Sequence, residues 1–556
     1  MRMKHALLST AASLALAFAA ANAPAGTANA APGLSGQVTG PQGAMEGVLV
    51  TAKKNGSTIA YTVVSDAQGR YSFPAGKIEG GEYALRIRAT GFDLDGADRD
   101  GALKKAIDPQ NPTTADLKLK KTRNLASQLV NAEWMMSMPG TDDQKAQLLN
   151  CVGCHTLERI VRSTHNADEF TQVVYRMANY AQVSQPIKPQ KRMDPEWAPK
   201  PESFRKFAEF LAAINLSETE KWQYPLKVLP RPSGRATKVL ITEYDLPRPT
   251  IEPHDVILDK NGMVWYSNFG EQYLGRMDPK TGATSEIPLP EFKKGFPVGT
   301  LDLEIDKAGD MWIGMMFQGA IAKFDPNTEQ FKFYPIPKEK NDNVTQLNML
   351  GLEHQVDGKI WTNNAGNQEV YRIDLASGKY ETFAPMKQIT TPGNHTIYGI
   401  ASDSKNNLWF MEFQDNYIGK LDAKTLALSF YRAPTERSRN RRGIMDENDR
   451  LWFAEYRGNK IGMFDTREES FKEWALPTPW SGPYYPVVDK NGEIWTGGMT
   501  TDRVVRLDPK TSQTVEYFLP KDTNMRRVFV DNATTPVTFW TGSNHGASIV
   551  KVEPLD

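Results

Sequence analysis

The sequence predicts a multidomain, mainly β chain: a seven-bladed β-propeller and a β-sandwich, with one small all-α domain between them. Three observations carry this. Seven apolar–Trp pairs recur every 43 to 49 residues or so in the C-terminal half, the period of one four-stranded blade. Short β-branched and aromatic runs, broken by Gly, Asn and Asp, fill the chain before residue 122. Residues 123–222 change to helical periodicity. At 556 residues several cores are expected rather than one.

Residues 1–30 read as a secretory signal. Arg2 and Lys4 open it, a small-apolar run follows from Leu7 to Ala21, and Ala28-Asn29-Ala30 is an A-x-A cleavage site. No later stretch approaches about 20 apolar residues, so no membrane span is expected in the mature chain. A Gram-negative periplasm is the expected location. The 66 basic and 66 acidic residues balance, which gives no sign of nucleic acid or an anionic membrane as partner. Lys188, Lys191 and Arg192 read as solvated charges.

Residues 32–122 carry the runs Val48–Ala52, Ile59–Val64, Tyr71–Phe73 and Tyr83–Arg88. With Ser35-Gly36-Gln37-Val38, Gly47–Val50, Gly81-Glu82-Tyr83 and Asp66-Ala67-Gln68-Gly69-Arg70-Tyr71-Ser72-Phe73, the segment resembles the carboxypeptidase regulatory-like sandwich. Asp66 and Gly69 suit a hairpin turn, and Tyr71 and Phe73 the core. An accessory or docking module is expected, or a spacer.

In residues 123–222, Thr141 with Gln144 and Asn166 with Glu169 are capping boxes that open two helices. Phe170, Val173, Val174 and Met177 form a stripe on the second. A third helix carries Phe204, Phe207, Leu211 and Ile214. Between the first two lies Cys151-Val152-Gly153-Cys154-His155, which holds both cysteines of the chain. Cys-x-x-Cys-His is the attachment signature of a c-type haem: two thiols bond one porphyrin edge and the adjacent imidazole binds iron. A disulfide across so tight a loop would be strained, and a thioredoxin-type dithiol needs a βαβ context.

Around a hundred residues with this motif early and an amphipathic helix at the end resemble a class I c-type cytochrome. The resemblance implies a Met on the iron's second face, from the loop before the last helix, which here is Met193. Met177 and His165 are the rival ligands; Met135, Met136 and Met138 precede the motif. A Met–His haem has a raised potential suited to accepting electrons.

From residue 238 to 556 the markers are Trp265, Trp312, Trp361, Trp409, Trp452, Trp495 and Trp540. Turns such as Asp259-Lys260-Asn261-Gly262 precede most of them. Outer strands finish in Pro, as in Glu286–Pro290. The last repeat ends at Val552 without an outer strand, and Ile241–Pro247 matches the missing one in pattern. It is expected to close the ring from the N-terminal side. The Trp side chains are expected as blade-to-blade core.

Leu451–Gly462 and Leu408–Glu412 with Asn416–Gly419 resemble the blades of the virginiamycin B lyase (streptogramin lyase) family. That resemblance implies a Glu-Pro-His acid and base, here Glu252 and His254, and a Mg2+-binding Glu just after the blade Trp. The chain departs from the pattern there, with Asn268. An amide oxygen ligates Mg2+ without charge, hence more weakly.

The repeat register places His254, Tyr398, Arg441 or Arg442, and Tyr484 at the starts of inner strands. Asn268, Asn364, Glu412 and Glu455 follow the Trp positions, with His545 nearby. The two sets either converge on one polar ligand site or tie blade ends around trapped water. His354 and His395 fall off the register and read as structural.

Three functions follow. One is a redox protein whose propeller binds a small molecule or protein partner while the haem passes electrons onward. The second is a metal-assisted lyase with His254 as base and the haem domain as passenger. The third is a non-catalytic interaction scaffold. If the chain is an enzyme, it is either a redox subunit or a carbon–oxygen lyase.

Overall fold

The computed structural model describes residues 33–108, 111–194, 199–216, 222–353, 356–391 and 395–556. The signal segment and His354 lie outside these. Residues 253–518 form six four-stranded antiparallel sheets in chain order, beginning with Pro253–Leu258, Leu303–Ile305, Leu347–Gly351, Ile397–Ser402, Asn440–Met445 and Val487–Val488. The seventh sheet takes three strands from the C-terminus, Val528–Asp531, Thr538–Ser543 and Ser548–Pro554. Its fourth comes from the start of the repeats: Val239–Asp245 pairs with Ser548–Pro554 from Val239↔Pro554 to Asp245↔Ser548.

No sheet closes on itself through hydrogen bonds; side-chain packing makes the arrangement propeller-like. Each Trp sits between its own sheet and a neighbour. Trp265 packs with Leu303 and Met311, Trp312 with Leu347 and Ile360, and Trp361 with Ile400 and Phe410. Trp409 meets Met445 and Phe453, Trp452 meets Ile494 and Val505, and Trp495 meets Val528 and Phe539. Trp540 of the seventh sheet packs with Val256 and Tyr266 of the first, which completes the circle.

The indole N–H explains the turn residues. In five sheets it donates to the Asp six positions earlier: Trp265 to Asp259, Trp312 to Asp306, Trp409 to Asp403 and Trp452 to Asp446 at 2.9 Å, and Trp495 to Asp489 at 3.0 Å. The other carboxylate oxygen of Asp489 accepts the N–H groups of Asn491 and Glu493, so one side chain both forms the turn and anchors the core. Opposite most Trp residues stands a cation, as with Arg276 5.4 Å from the Trp265 ring and Lys420 5.5 Å from Trp409. The glycines of Leu274-Gly275, Ile418-Gly419 and Ile461-Gly462 lie under cross-strand aromatic rings. A Cβ there would come within 2.0, 1.9 and 2.2 Å of Tyr266, Phe410 and Phe453.

The N-terminal sandwich is fused to the ring. Strand Ile59–Val64 pairs with the free edge of Val239–Asp245, from Leu240↔Val63 to Tyr244↔Ile59, so the seventh sheet runs on through Leu49–Lys54, Gly81–Arg88 and Leu103–Ile107. That removes an exposed edge from both bodies. Tyr71 and Phe73 face the sandwich core, 3 % and 0 % exposed.

The helical segment is less independent than an all-α domain. Its helices are Asn131–Ser137, Asp142–Gln147, Glu158–Val161, Ala167–Ala178 and Arg205–Ile214, and the capping boxes of Thr141 and Asn166 are formed. Its apolar core is continuous with the sixth and seventh sheets: Trp134, Leu148 and Val152 share one cluster with Trp495, Val504 and Phe539. Met177, a rival iron ligand at the end of the stripe, is 39 % exposed, whereas Phe170 at the start of the stripe is buried.

Replacing Asp489 by Ala leaves the fully buried Trp495 indole unpartnered and opens its turn. The variant should lose about 1–3 kcal/mol in urea unfolding, whereas Asp508→Ala, in an exposed turn, should lose about half a kcal/mol or less.

Candidate functional site

The Cys-x-x-Cys-His turn follows a short 3-10 turn, Leu148–Asn150, and lies on the central mouth of the ring. Propeller side chains hold its backbone. Asn524 donates to the Val152 carbonyl at 3.0 Å and Arg526 to the Gly153 carbonyl at 2.8 Å. Just before it, Tyr456 donates to the Leu149 carbonyl at 3.1 Å. Ala132 N–H reaches the Thr500 carbonyl at 2.9 Å, and Asp143 pairs with Arg437 and Arg457.

Within the motif, Cys151 and Cys154 are free thiols, partly buried. Burial, with Cys154 adding to it, pushes the Cys151 thiol up to about 12. Burial and the nearby Glu252 push Cys154 up to about 11. Both are therefore neutral thiols at pH 7, the opposite of a catalytic dithiol or a thiolate metal site. His155 Nδ1 lies 2.9 Å from the Thr156 carbonyl. Burial lowers its pKa, so the neutral ring donates from Nδ1 and Nε2 is the nitrogen left for a metal. The donor set fits a covalently attached haem. Met193 is 41 % exposed, on the chain after the Tyr180↔Lys191 bridge. The loop before it is bound to the ring, through Gln190 to the Val298 carbonyl at 3.0 Å and Lys188 to the Gly270 carbonyl at 2.9 Å. Lys188 is thus a docking contact rather than a solvated charge. His165 lies against Phe170 and Glu169.

Beneath the motif the inner-strand residues do converge. His254, fully buried, has Nδ1 2.5 Å from Asp255 and Nε2 3.1 Å from the Tyr484 hydroxyl. Tyr484 in turn is 2.5 Å from the Tyr398 hydroxyl. With Asp255 accepting from Nδ1–H, Nε2 accepts from Tyr484. Burial and then the cations Arg526, Arg442 and Arg441 hold the His254 pKa well below its ordinary value, so the ring is neutral. Arg442 pairs with Asp255 at 3.1 Å and with Asp302, and Arg527 pairs with Glu304 at 2.6 Å, which fills the channel with ion pairs. Arg441 lies 4.5 to 5.0 Å from the rings of Tyr398, Phe413, Tyr456 and Tyr484.

The residues after each Trp have a different role from the one expected. Asn268 Oδ1 accepts from Glu252 N at 3.2 Å and Gly270 N at 3.3 Å, and its amide donates to Glu271. Asn364 accepts from Gln346 N at 2.9 Å. Glu412 accepts from Gln414 N and Asp415 N at 2.7 and 2.6 Å, with His395 beside it. All three side chains satisfy turn N–H groups at the ends of their own strands. Glu455, equally buried, is raised to about 8 by burial and by Glu473. Asn268, Asn364 and Glu412 thus cap turns rather than line an open funnel, while both carboxylate oxygens of Glu455 are buried without a hydrogen-bond partner. Asn268 has its oxygen committed to two N–H donors, which does not fit a Mg2+ ligand. Among the described residues no three His, Cys, Asp or Glu side chains come together as a metal site. His254, buried and with both nitrogens engaged by Asp255 and Tyr484, is committed to that hydrogen-bond chain rather than free to act as a base.

Sequence reasoning missed Asn524 and Arg526, the two side chains that grip the motif. They lie some 370 residues from it, and no local pattern marks them.

Glu252 is 1 % exposed, with one carboxylate oxygen unpartnered, and burial raises it to about 8. The folded chain therefore binds a proton more tightly than the unfolded chain does. Stability should fall as pH rises from about 5 to 8, by up to about 1.4 kcal/mol per unit from this group. In Glu252→Gln the slope should shrink by this group's share, leaving the part due to Glu455, which is also raised to about 8, as measured by urea unfolding at each pH.

The virginiamycin B lyase family matches residues 385–555 and the carboxypeptidase regulatory-like domain matches residues 33–120. Among solved structures, virginiamycin B lyase from Staphylococcus aureus is 22 % identical, over 56 % of this chain and 98 % of that one, with a TM-score of 0.48. A streptogramin B lyase structure is 22 % identical over 58 % and 99 %, also at 0.48. The extracellular domain of a one component system from B. thetaiotaomicron is 16 % identical over 54 % and 40 %, at 0.41. No curated protein matches the chain. The chain thus carries a virginiamycin B lyase family domain in its C-terminal third and a carboxypeptidase regulatory-like domain near its start.

Proposed function

We propose that the chain is an exported c-type haem protein in which a seven-bladed propeller serves as a non-catalytic recognition body and holds the haem segment on its mouth. The recognition body is the part of this reading that the family match backs; electron transfer through a haem, to or from a periplasmic partner or a small molecule, is the further step proposed from the Cys151–His155 motif. The observation that carries it is the grip of Asn524 and Arg526 on the carbonyls of Val152 and Gly153. A propeller acting as a lyase needs its mouth open; here the mouth is spent on positioning the motif. Cys151 and Cys154 would bond the porphyrin and His155 Nε2 would bind the iron, which when present supplies one-electron chemistry. Met193 is the proposed ligand of the second face on the family pattern, its exposure notwithstanding.

A second reading, a scaffold without redox function, draws on the sandwich and ring forming one rigid docking body through the shared eight-stranded sheet.

Expression in a host that matures c-type haem separates the two. Red protein whose haem stays attached after denaturation and acid–acetone extraction, and is lost in Cys151→Ala/Cys154→Ala, is expected. A weak far-red sulfur-to-iron band absent from Met193→Ala would assign that ligand. Colourless protein with both thiols open to alkylation leaves the scaffold. Turnover of a cyclic ester antibiotic that vanishes in His254→Ala would restore the lyase.

A further inference from the structure

Arg441 and Arg526 stand out in the mouth. They are 9 % and 4 % exposed, and both face the Tyr484 ring, at 4.5 and 5.7 Å. Arg442 and Arg527, on the same axis, each have carboxylate partners. Among the described residues neither Arg441 nor Arg526 has one within ion-pair distance. Arg526 is spent on the neutral oxygens of Asn524 and Gly153. Arg441 lies among four aromatic rings with its Nε unpartnered. Two buried, uncompensated guanidinium ions are costly, and proteins ordinarily neutralise such charges. Glu252, an acid near Arg526, is raised by burial to about 8 and has one oxygen without a partner. Close by, His545 lies against the Val152–Gly153 backbone and Arg526, and the side-chain amide of the adjoining Asn544 is buried without a partner. Orphaned polar groups in such number mark an occupant.

We propose that Arg441 and Arg526 form a carboxylate-binding site in the covered mouth, directly below the Val152–Gly153 turn. A planar fork of N–H donors suits a carboxylate, and Tyr398 and Tyr484 provide aromatic walls. The same chemistry has two sources: a free organic acid, or the propionate arms of a haem attached at Cys151 and Cys154. Only the second source rests on the haem reading.

The test uses the full-length secreted protein and two probes. Succinate is titrated calorimetrically into wild type, Arg441→Met and Arg441→Lys. One saturable site in wild type, weakened at least tenfold (about 1.4 kcal/mol) in Arg441→Met and less in Arg441→Lys, supports the proposal with a free acid as ligand. In haem-loaded protein, resonance Raman propionate bands that move in Arg441→Met, with no succinate binding, support it with the haem as source. Thermal midpoints of the variants control for folding. Where Arg441→Met does not fold, Arg441→Lys, which keeps the charge but loses the fork, takes its place in both arms. If neither succinate affinity nor the propionate bands respond in a folded variant, the site is overturned. Colourless protein that binds succinate overturns the haem reading and leaves the site standing.

Discussion

The architecture depends on one strand. Val239–Asp245 is hydrogen-bonded on one side to the C-terminal strand Ser548–Pro554 and on the other to Ile59–Val64 of the sandwich. It supplies the fourth strand of the seventh sheet, and it fixes the sandwich to that sheet's outer edge. It also tethers the helical segment. Residues 122–238 leave the sandwich and return to this same sheet, so a hundred-odd residues are anchored at both ends beside the seventh sheet. Closure entropy for such a loop grows only slowly with length, and the segment recovers it by packing Trp134, Leu148 and Val152 onto the sixth and seventh sheets.

The channel below obeys a second constraint. Seven inner strands bring polar starts to one axis, and burial removes water from them. Arg442, Arg527, Asp255, Asp302 and Glu304 answer this by pairing, while His254, Tyr484 and Tyr398 answer it by hydrogen bonding in a chain. Such groups are costly to bury and costly to unpair, so the axis is a rigid plug rather than a passage. Beneath the helical segment the balance changes sign, with more guanidinium groups than carboxylates to meet them.

The sequence was legible wherever the signal was local or periodic. The Trp spacing showed the number of sheets, the unfinished last repeat showed where its missing strand must come from, and Thr141 and Asn166 showed two helix starts. What periodicity shows is register, and register says which residues share a height on the ring but not which way a side chain turns. Asn268, Asn364 and Glu412 share their height with the funnel and turn instead to the N–H groups of their own hairpins. His254, Tyr398, Arg441 and Tyr484 share theirs and do meet. Asn524 and Arg526 could not be found this way, because their role is defined by a turn in another part of the chain.

That last contact reorders the functional argument. A pentapeptide with the haem-attachment signature and a segment that matches a lyase family model look like two unrelated activities on one chain when read side by side. Seating the first on the mouth of the second makes them a single site: Asn524 and Arg526 hold the carbonyls of Val152 and Gly153, while His254 and Asn268, at positions a lyase would use for chemistry, are tied into hydrogen bonds below. A haem attached at Cys151 and Cys154 would have the Arg526 guanidinium close by, and buried positive charge there would favour the reduced iron. The propeller-like body thus sets the electrostatic environment of the motif, and its likeness to the lyase family is one of sequence pattern over residues 385–555.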